Sequence, residues 1–491
     1  SSHYLNNAAL VELVQMWSEP LRQRQKLFFM AASAAVSGRV TTKQERQTEW
    51  LGPASSTSSG SRKRIKLSQP VACEQVRQLA PDLRAGAWKL NVQRLPDLTG
   101  IAKNPANGDS GDEALPQSPA STAVSQVVQV LQRFFEGVSP DLPKALAGLV
   151  MLSLADITTS PCRKDRSSLG DERAVEPHDK ICQEAMKYMR IASAAYGPML
   201  VNPVMFPDSQ ELRASLPRGI EAAMRAHAGL DRSDVRILCY QEQAAWLMPA
   251  HFVTYDCTAR ELIIAVRGTL SVEDVVTDLG AGEVPFFAGG VAHSSILQSA
   301  GNIMRQIAPQ LERVAGEVEK VTFTGHSLGA ATAAYLCWLF AELLSHPEGG
   351  QGQTLQLRCY AFGSPGVCTA EVARSTTATI LSFSNGFDIV PRLNFGSMVE
   401  LHNRAIAAVD ASATMSGTGS PTAKASNAAP CTKLYPAGRN FLLSADGKCV
   451  EVDPEEAAPY IWLGGGPRLV IDHLPPQYEA SLNAACHRDA N

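Results

Sequence analysis

Around residue 325 the chain reads VTFTGHSLGAA, so that Ser327 is framed by Gly325 and Gly329 in a G-x-S-x-G pentapeptide with His326 beside it. A serine hydroxyl is a weak nucleophile until a base takes its proton and a carboxylate orients that base. The pentapeptide follows a β-branched run and opens an Ala-rich apolar stretch, which is the strand–turn–helix setting of a nucleophile elbow. Such a turn leaves no room for flanking side chains, and the helix it opens presents backbone N–H groups to a developing oxyanion. The bland alternative is a glycine-rich strand-to-helix turn with a structural serine, which would need no partners elsewhere.

Partners are present. In α/β-hydrolases the chain order is nucleophile, then acid, then histidine, which restricts the search to residues after 327. Asp388 sits just past the run ATILSFS, in the string NGFDIVPRL, where a loop at the carboxyl end of a strand can reach the elbow. Asp410, in a low-complexity stretch, and Asp446, in the hairpin-like SADGKC, rank below it. The downstream histidines are His346, His402, His473 and His487. His346 closes the helix after the elbow, His402 falls in a helix after Asp388, and His487 lies in a polar tail. His473 follows RLVID, read as a strand, and precedes the loop LPPQY; it is the histidine expected to act as base.

An oxyanion needs two donors. One is the N–H of the residue after the nucleophile, Leu328. The run LIIAV ends in Arg267-Gly268-Thr269, whose loop is placed to bring a second amide over the site, with the Thr269 hydroxyl steadying it. Asp274 and Asp278, four apart on a helix-like segment, read as a solvated acidic face; a cation site there is only weakly suggested.

The elements that must hold these groups are legible in the hydrophobic pattern. After about residue 235, short β-branched runs alternate with helices: ELIIAVRG, then a helix over 296–318, VTFTG, the helix LGAATAAYLCWLFAELL, and the strands LQLRCYAFG and ATILSFSN. That alternation predicts an α/β fold, a mostly parallel central sheet covered by helices. Helices are also expected at VVQVLQRFF, LPKALAGLVMLSLADI and 181–195. The sequence has 491 residues, 45% hydrophobic and 19% charged, with a net charge of −4 that argues against a nucleic-acid binder. Its 11 cysteines contain no C-x-x-C pair, so a zinc ribbon and a disulfide scaffold are excluded and reduced thiols in a cytosolic setting are expected. No apolar run reaches the roughly 18 residues of a membrane-spanning helix. Residues 53–61, 101–125 and 410–430 are small, polar and low in complexity, and RKRIK at 62–66 reads as a solvated basic loop, with anionic lipid and nuclear targeting as rivals.

At these positions the chain resembles the class 3 lipases, and within them the sn-1-specific diacylglycerol lipases. The resemblance rests on R-G-T at 267–269, G-H-S-L-G at 325–329, D-x-V-P-R at 388–392 and D-H at 472–473, with AAYG at 194–197, LYPAGR at 434–439 and DLPKALAGLVML before the core. It covers about residues 127–485 and implies an α/β-hydrolase fold, Ser327, Asp388 and His473 as catalytic triad, and Thr269 with Leu328 as oxyanion hole. The implied reaction is sn-1 hydrolysis of diacylglycerol to monoacylglycerol and fatty acid, on a lipid substrate at a membrane interface. Phospholipase A1 or triacylglycerol lipase activity with the same triad is the alternative within enzymes, and a catalytically dead lipase-like scaffold is the alternative from another class. The chemistry requires no cofactor; calcium enters only through the resemblance, and protein partners are left open. Diacylglycerol lipases carry transmembrane helices before the catalytic domain, so residues 1–52 are expected to be a helical, juxtamembrane lead-in to a cytosolic catalytic domain, with an upstream membrane segment missing. Residues 53–126 are read as a linker, and 127–491 as the catalytic domain, with a regulatory loop expected at 410–430. Phe286-Phe287 is a candidate for the substrate entrance, with ordinary core packing as its rival.

Overall fold

The computed structural model describes residues 141–158, 178–201, 220–230, 233–245, 247–269, 283–286, 290–345, 354–415 and 432–487, with a few positions between 83 and 139. Its centre is a sheet whose main strands are β1 (Val235–Gln241), β2 (His251–Asp256), β3 (Glu261–Val266), β4 (Lys320–His326), β5 (Thr354–Phe362), β6 (Ile380–Asn385), β7 (Arg439–Leu443) and β8 (Cys449–Val452). They lie side by side in chain order. The run from β3 to β7 is parallel; β1 and β2 form an antiparallel meander at one edge, and β8 closes the other as a hairpin.

The order follows from the residues. All six residues of β3 are buried, as a central parallel strand covered on both faces requires. Leu262, Ile264 and Val266 join the hydrophobic cluster on one face, and Ile263 and Ala265 join the cluster on the other, the period-two alternation of a strand. The helices used below are α1 (Leu142–Thr158), α2 (His178–Ala194), α3 (Ile220–Ala228), α4 (Ser294–Val314), α5 (Leu328–Leu343), α6 (Phe395–Met415), α7 (Arg468–Ile471) and α8 (Pro475–Cys486). Helix α5 is apolar all round and buried, lying against β3, β4 and β5 with α4 outside it. Helix α1 packs on α6, and α2 with α8 covers the opposite face of the sheet.

Three expectations change. RLVI, read as a strand before His473, is the single helical turn α7, held by the Ile471 N–H donating to the Pro467 carbonyl over 3.0 Å. A short apolar β-branched run does not by itself separate strand from helix; here the turn buries Leu469 and Val470 instead of adding to a sheet whose end is already occupied by β8. Residues 410–415, assigned to a low-complexity insertion, are the last turns of α6, where Asp410 meets Lys144 of α1 at 2.5 Å. Within the stretch read as linker, Leu83–Arg84 pairs antiparallel with the start of β5, and Lys89–Leu90 pairs with Leu344–Ser345. Residues 1–52, the basic run at 62–66 and residues 416–430 lie outside the described residues. No helix among the described residues is long and apolar enough to cross a membrane.

Candidate active site

Strand β4 runs into Ser327, which takes φ 60° and ψ −132° before α5 begins at Leu328. A positive φ is strained for a residue with a side chain, and the surroundings impose it. A Cβ on Gly325 would lie 2.4 Å from the Gly329 carbonyl oxygen, and one on Gly329 would lie 2.3 Å from that of Val266. The Ser327 N–H donates to the Phe362 carbonyl at the end of β5, over 2.8 Å, fixing the turn to the neighbouring strand.

The three downstream choices converge on this turn. Ser327 Oγ is 2.9 Å from His473 Nε2, and His473 Nδ1 is 2.9 Å from Asp388 Oδ2. All are interior: Ser327 is 1%, Asp388 0% and His473 7% exposed. Asp388 follows β6, and D-x-V-P-R has a local logic. Oδ1 accepts the Val390 N–H at 2.8 Å, so the carboxylate caps the short 3-10 turn Val390–Arg392. Pro391 favours that turn by its fixed φ, and Arg392 closes it by donating to the Asp388 carbonyl. Oδ2 remains for the imidazole. His473 is carried by the turn after α7, its N–H donating to the Val470 carbonyl over 3.0 Å.

The rejected alternatives sit elsewhere. His402, on α6, lies edge-on to Phe135 with ring centroids 5.1 Å apart. Asp446 occupies the β7–β8 hairpin turn, paired with Lys448 at 3.0 Å, and the Ser444 hydroxyl and that lysine hold its carboxyl down at about 2. His487 caps the end of α8; His346, Asp274 and Asp278 lie outside the described residues. Phe286 packs against Tyr335 and Trp338 of α5, ring centroids 5.4 and 5.2 Å away, so its described contacts are those of core packing, while Phe287 lies outside the described residues.

On the oxyanion side, β3 delivers Arg267-Gly268-Thr269 directly against the elbow: a Cβ on Gly268 would come within 2.8 Å of Ser327 Cβ. Leu328, the first residue of α5, has a backbone N–H in the helical turn that lacks an internal acceptor. A developing negative charge on a carbonyl bound at Ser327 would therefore meet the positive end of α5.

Four residues matter that sequence reasoning did not single out for their roles. Tyr478, on the first turn of α8, donates its hydroxyl to Asp388 Oδ2 at 2.6 Å and accepts the Asn385 N–H at 3.1 Å. Burial first, and the Asp388 charge second, hold its phenol well above the ordinary range, so it stays a donor. Asp472 of the D-H pair accepts the Phe387 N–H at 2.9 Å and meets Arg468 at 3.1 Å, while its carbonyl accepts from Asn385 Nδ2 at 3.0 Å. It thereby braces the loop of the acid against the loop of the base. His326 and Tyr196 are joined at 2.7 Å behind the elbow. The only signal for these four was their position inside quoted strings (AAYG, GHSLG, DH, LPPQY), because spacing does not report which distant side chain a phenol will touch.

A parallel sheet with a strained serine turn at the carboxyl end of its strands, covered by helices on both faces, is the α/β-hydrolase fold. Residues 263–398 match the family described as Lipase (class 3), a span that holds Ser327 and Asp388; the chain carries a class 3 lipase domain. Over 163 residues it is 34% identical to diacylglycerol lipase-beta of Mus musculus, covering 31% of this chain and 23% of that protein. Over 166 residues it is 28% identical to diacylglycerol lipase-alpha of Homo sapiens, covering 30% of this chain and 15% of that protein. The chain thus spans less than a quarter of the length of either relative. Among solved structures, the native Rhizomucor miehei lipase propeptide complex aligns over 63% of this chain and 84% of its own, with 18% identity and a TM-score of 0.39.

Proposed function

We propose that this domain hydrolyses carboxylic esters of lipids, with Ser327 as nucleophile, His473 as general base and Asp388 as the group that orients the imidazole. The observation that carries the reading is the continuous relay Oγ(327)–Nε2(473), Nδ1(473)–Oδ2(388), at 2.9 Å in each link. In acylation, His473 takes the hydroxyl proton as Oγ attacks the ester carbonyl. The oxygen charge that develops is received by the N–H groups of Thr269 and Leu328, and the imidazolium protonates the departing alcohol. A water deprotonated by His473 then releases the fatty acid and regenerates the serine. The steps use side chains, backbone amides and water, and no cofactor is assigned.

The substrate we assign is diacylglycerol, cleaved at sn-1 to monoacylglycerol and fatty acid. Sequence similarity to two proteins named diacylglycerol lipase supports that choice. Such a substrate resides in membranes, so the domain is assigned to a membrane interface. Ser327→Ala should lower turnover by at least about 10³-fold with the melting temperature unchanged; turnover near that of the unmodified enzyme would sink the assignment. Release of fatty acid from diacylglycerol, triacylglycerol and phospholipid, measured side by side, tests the substrate. Equal rates on all three would leave the hydrolase and remove the diacylglycerol preference.

A further inference from the structure

His326, the residue between Gly325 and the nucleophile, is buried and points away from the reacting atoms. Its Nε2 lies 2.7 Å from the backbone carbonyl of His473, and its Nδ1 lies 2.7 Å from the hydroxyl of Tyr196. The proton positions follow from chemistry. A carbonyl only accepts, so Nε2 carries the hydrogen; a neutral imidazole then has a bare Nδ1, which accepts from the Tyr196 hydroxyl. Burial first, and the neighbouring His473 second, hold His326 well below the usual histidine range, which keeps it in this neutral form. Tyr196 in turn abuts the loop on the oxyanion side: a Cβ on Gly268 would sit 2.8 Å from its hydroxyl oxygen and 2.5 Å from the His326 carbonyl oxygen. The Gly268 backbone amide also makes a polar contact with that phenol.

We propose that Tyr196 and His326 are positioning residues of the hydrolase. One imidazole holds the backbone of the base on one side and, through a phenol, the Arg267–Thr269 loop on the other, and so sets the gap into which the ester must fit. The ring of His326 is itself wedged between His473, at 4.6 Å between centroids, and Tyr478, at 5.5 Å. Neither nitrogen is left to move a proton to the serine, so its role acts through His473 and Gly268, not on substrate. The inference gives AAYG a function at this site, although Tyr196 lies well before the matched family span. It rests on Ser327 being the nucleophile, and the experiment separates the two ideas.

The experiment measures the second-order rate of labelling by a fluorophosphonate probe, together with kcat and KM on a soluble short-chain ester. The proteins are the unmodified chain, Tyr196→Phe, His326→Gln, the double variant, and Tyr335→Phe. Tyr335 supplies a control of matched chemistry, a buried hydroxyl donating to the Val367 carbonyl within the same cluster of helices. Tyr196→Phe keeps the ring and removes the link; a shift of the loop by a fraction of an ångström should lower labelling and kcat by about ten- to a hundred-fold, with KM changed by less than about threefold. Because both singles break one link, the double variant should be no worse than His326→Gln alone. Tyr335→Phe should lose stability but keep its labelling rate. The proposal is overturned if Tyr196→Phe labels at the unmodified rate, if Tyr196→Phe and Tyr335→Phe lose activity alike in step with melting temperature, or if the two site variants combine multiplicatively. An unmodified protein that the probe does not label at Ser327 refutes the hydrolase reading itself, and this role with it.

Discussion

One carboxylate here has three donors: Asp388 receives the Val390 N–H, the Tyr478 hydroxyl and His473. Hydrogen bonds to a charged acceptor are worth about 1.5–3 kcal/mol in mutational series, more than neutral ones. Tyr478→Phe should therefore cost about tenfold or more in kcat while leaving the ring packing against His326 and Phe362 in place. Steady-state kinetics on a soluble ester with circular dichroism alongside checks this; an unchanged kcat would mean the hydroxyl serves only the Asn385 amide. Titration gives a second prediction at the same scale. Burial depresses both His326 and His251 below the ordinary histidine value of 6.5. Below that pH the unfolded chain binds protons that the folded chain refuses, so stability is present above about 6.5 and lost as pH falls. The slope reaches about 1.4 kcal/mol per pH unit for each histidine. Urea midpoints at pH 7.5 and 5.5 should fall accordingly, and equal midpoints would contradict the burial of two neutral rings.

At the scale of elements, the triad is held by loops that three strands and a helical turn deliver to one end of the sheet. Asp472 connects two of those loops, and its ties to Phe387 and Asn385 are local substitutes for a continuous strand. Asp472→Ala should lower kcat by about tenfold and the melting temperature by a few degrees, since it frees the acid loop from the base loop without touching either reacting group. A kcat loss without any thermal shift would place Asp472 in the chemistry instead. The extension of α6 to Met415 makes another comparison. Removing 416–430 should leave the helix intact, whereas removing 410–430 also deletes its last turns and the Lys144–Asp410 pair. Calorimetry should find the longer deletion less stable by about 1 kcal/mol, and no difference would mean those turns contribute nothing to the packing of α1 on α6.

For the molecule as a whole, the described conformation keeps Ser327 at 1% exposure. An ester of two acyl chains cannot reach an oxygen so enclosed, so chain around the elbow must move before substrate enters. Hydrolysis of a short-chain ester should therefore rise more steeply when the ester exceeds its solubility, or when lipid vesicles are added, than saturation kinetics allows. A hyperbolic rate through the solubility limit would argue for a site open to single molecules in solution.

The sequence by itself determined the parts whose signals are local. The elbow glycines report a steric clash within five residues, the runs LIIAV and ATILSFS report strands buried on both faces, and the Asp388 capping turn is spelled by D-x-V-P-R. Chain order then selected Asp388 and His473 from their rivals, because a parallel sheet delivers successive loops to one edge. Three matters were settled only by tertiary structure. RLVI is ambiguous in period, and packing of Leu469 and Val470 made it a helical turn. Residues 410–415 are low in complexity, yet docking on α1 keeps them helical. Tyr196, 131 residues before the nucleophile, and Tyr478 come to the site because α2 and α8 pack against one face of the sheet. A hydroxyl's partner is fixed by distance in space, and no spacing along the chain records it.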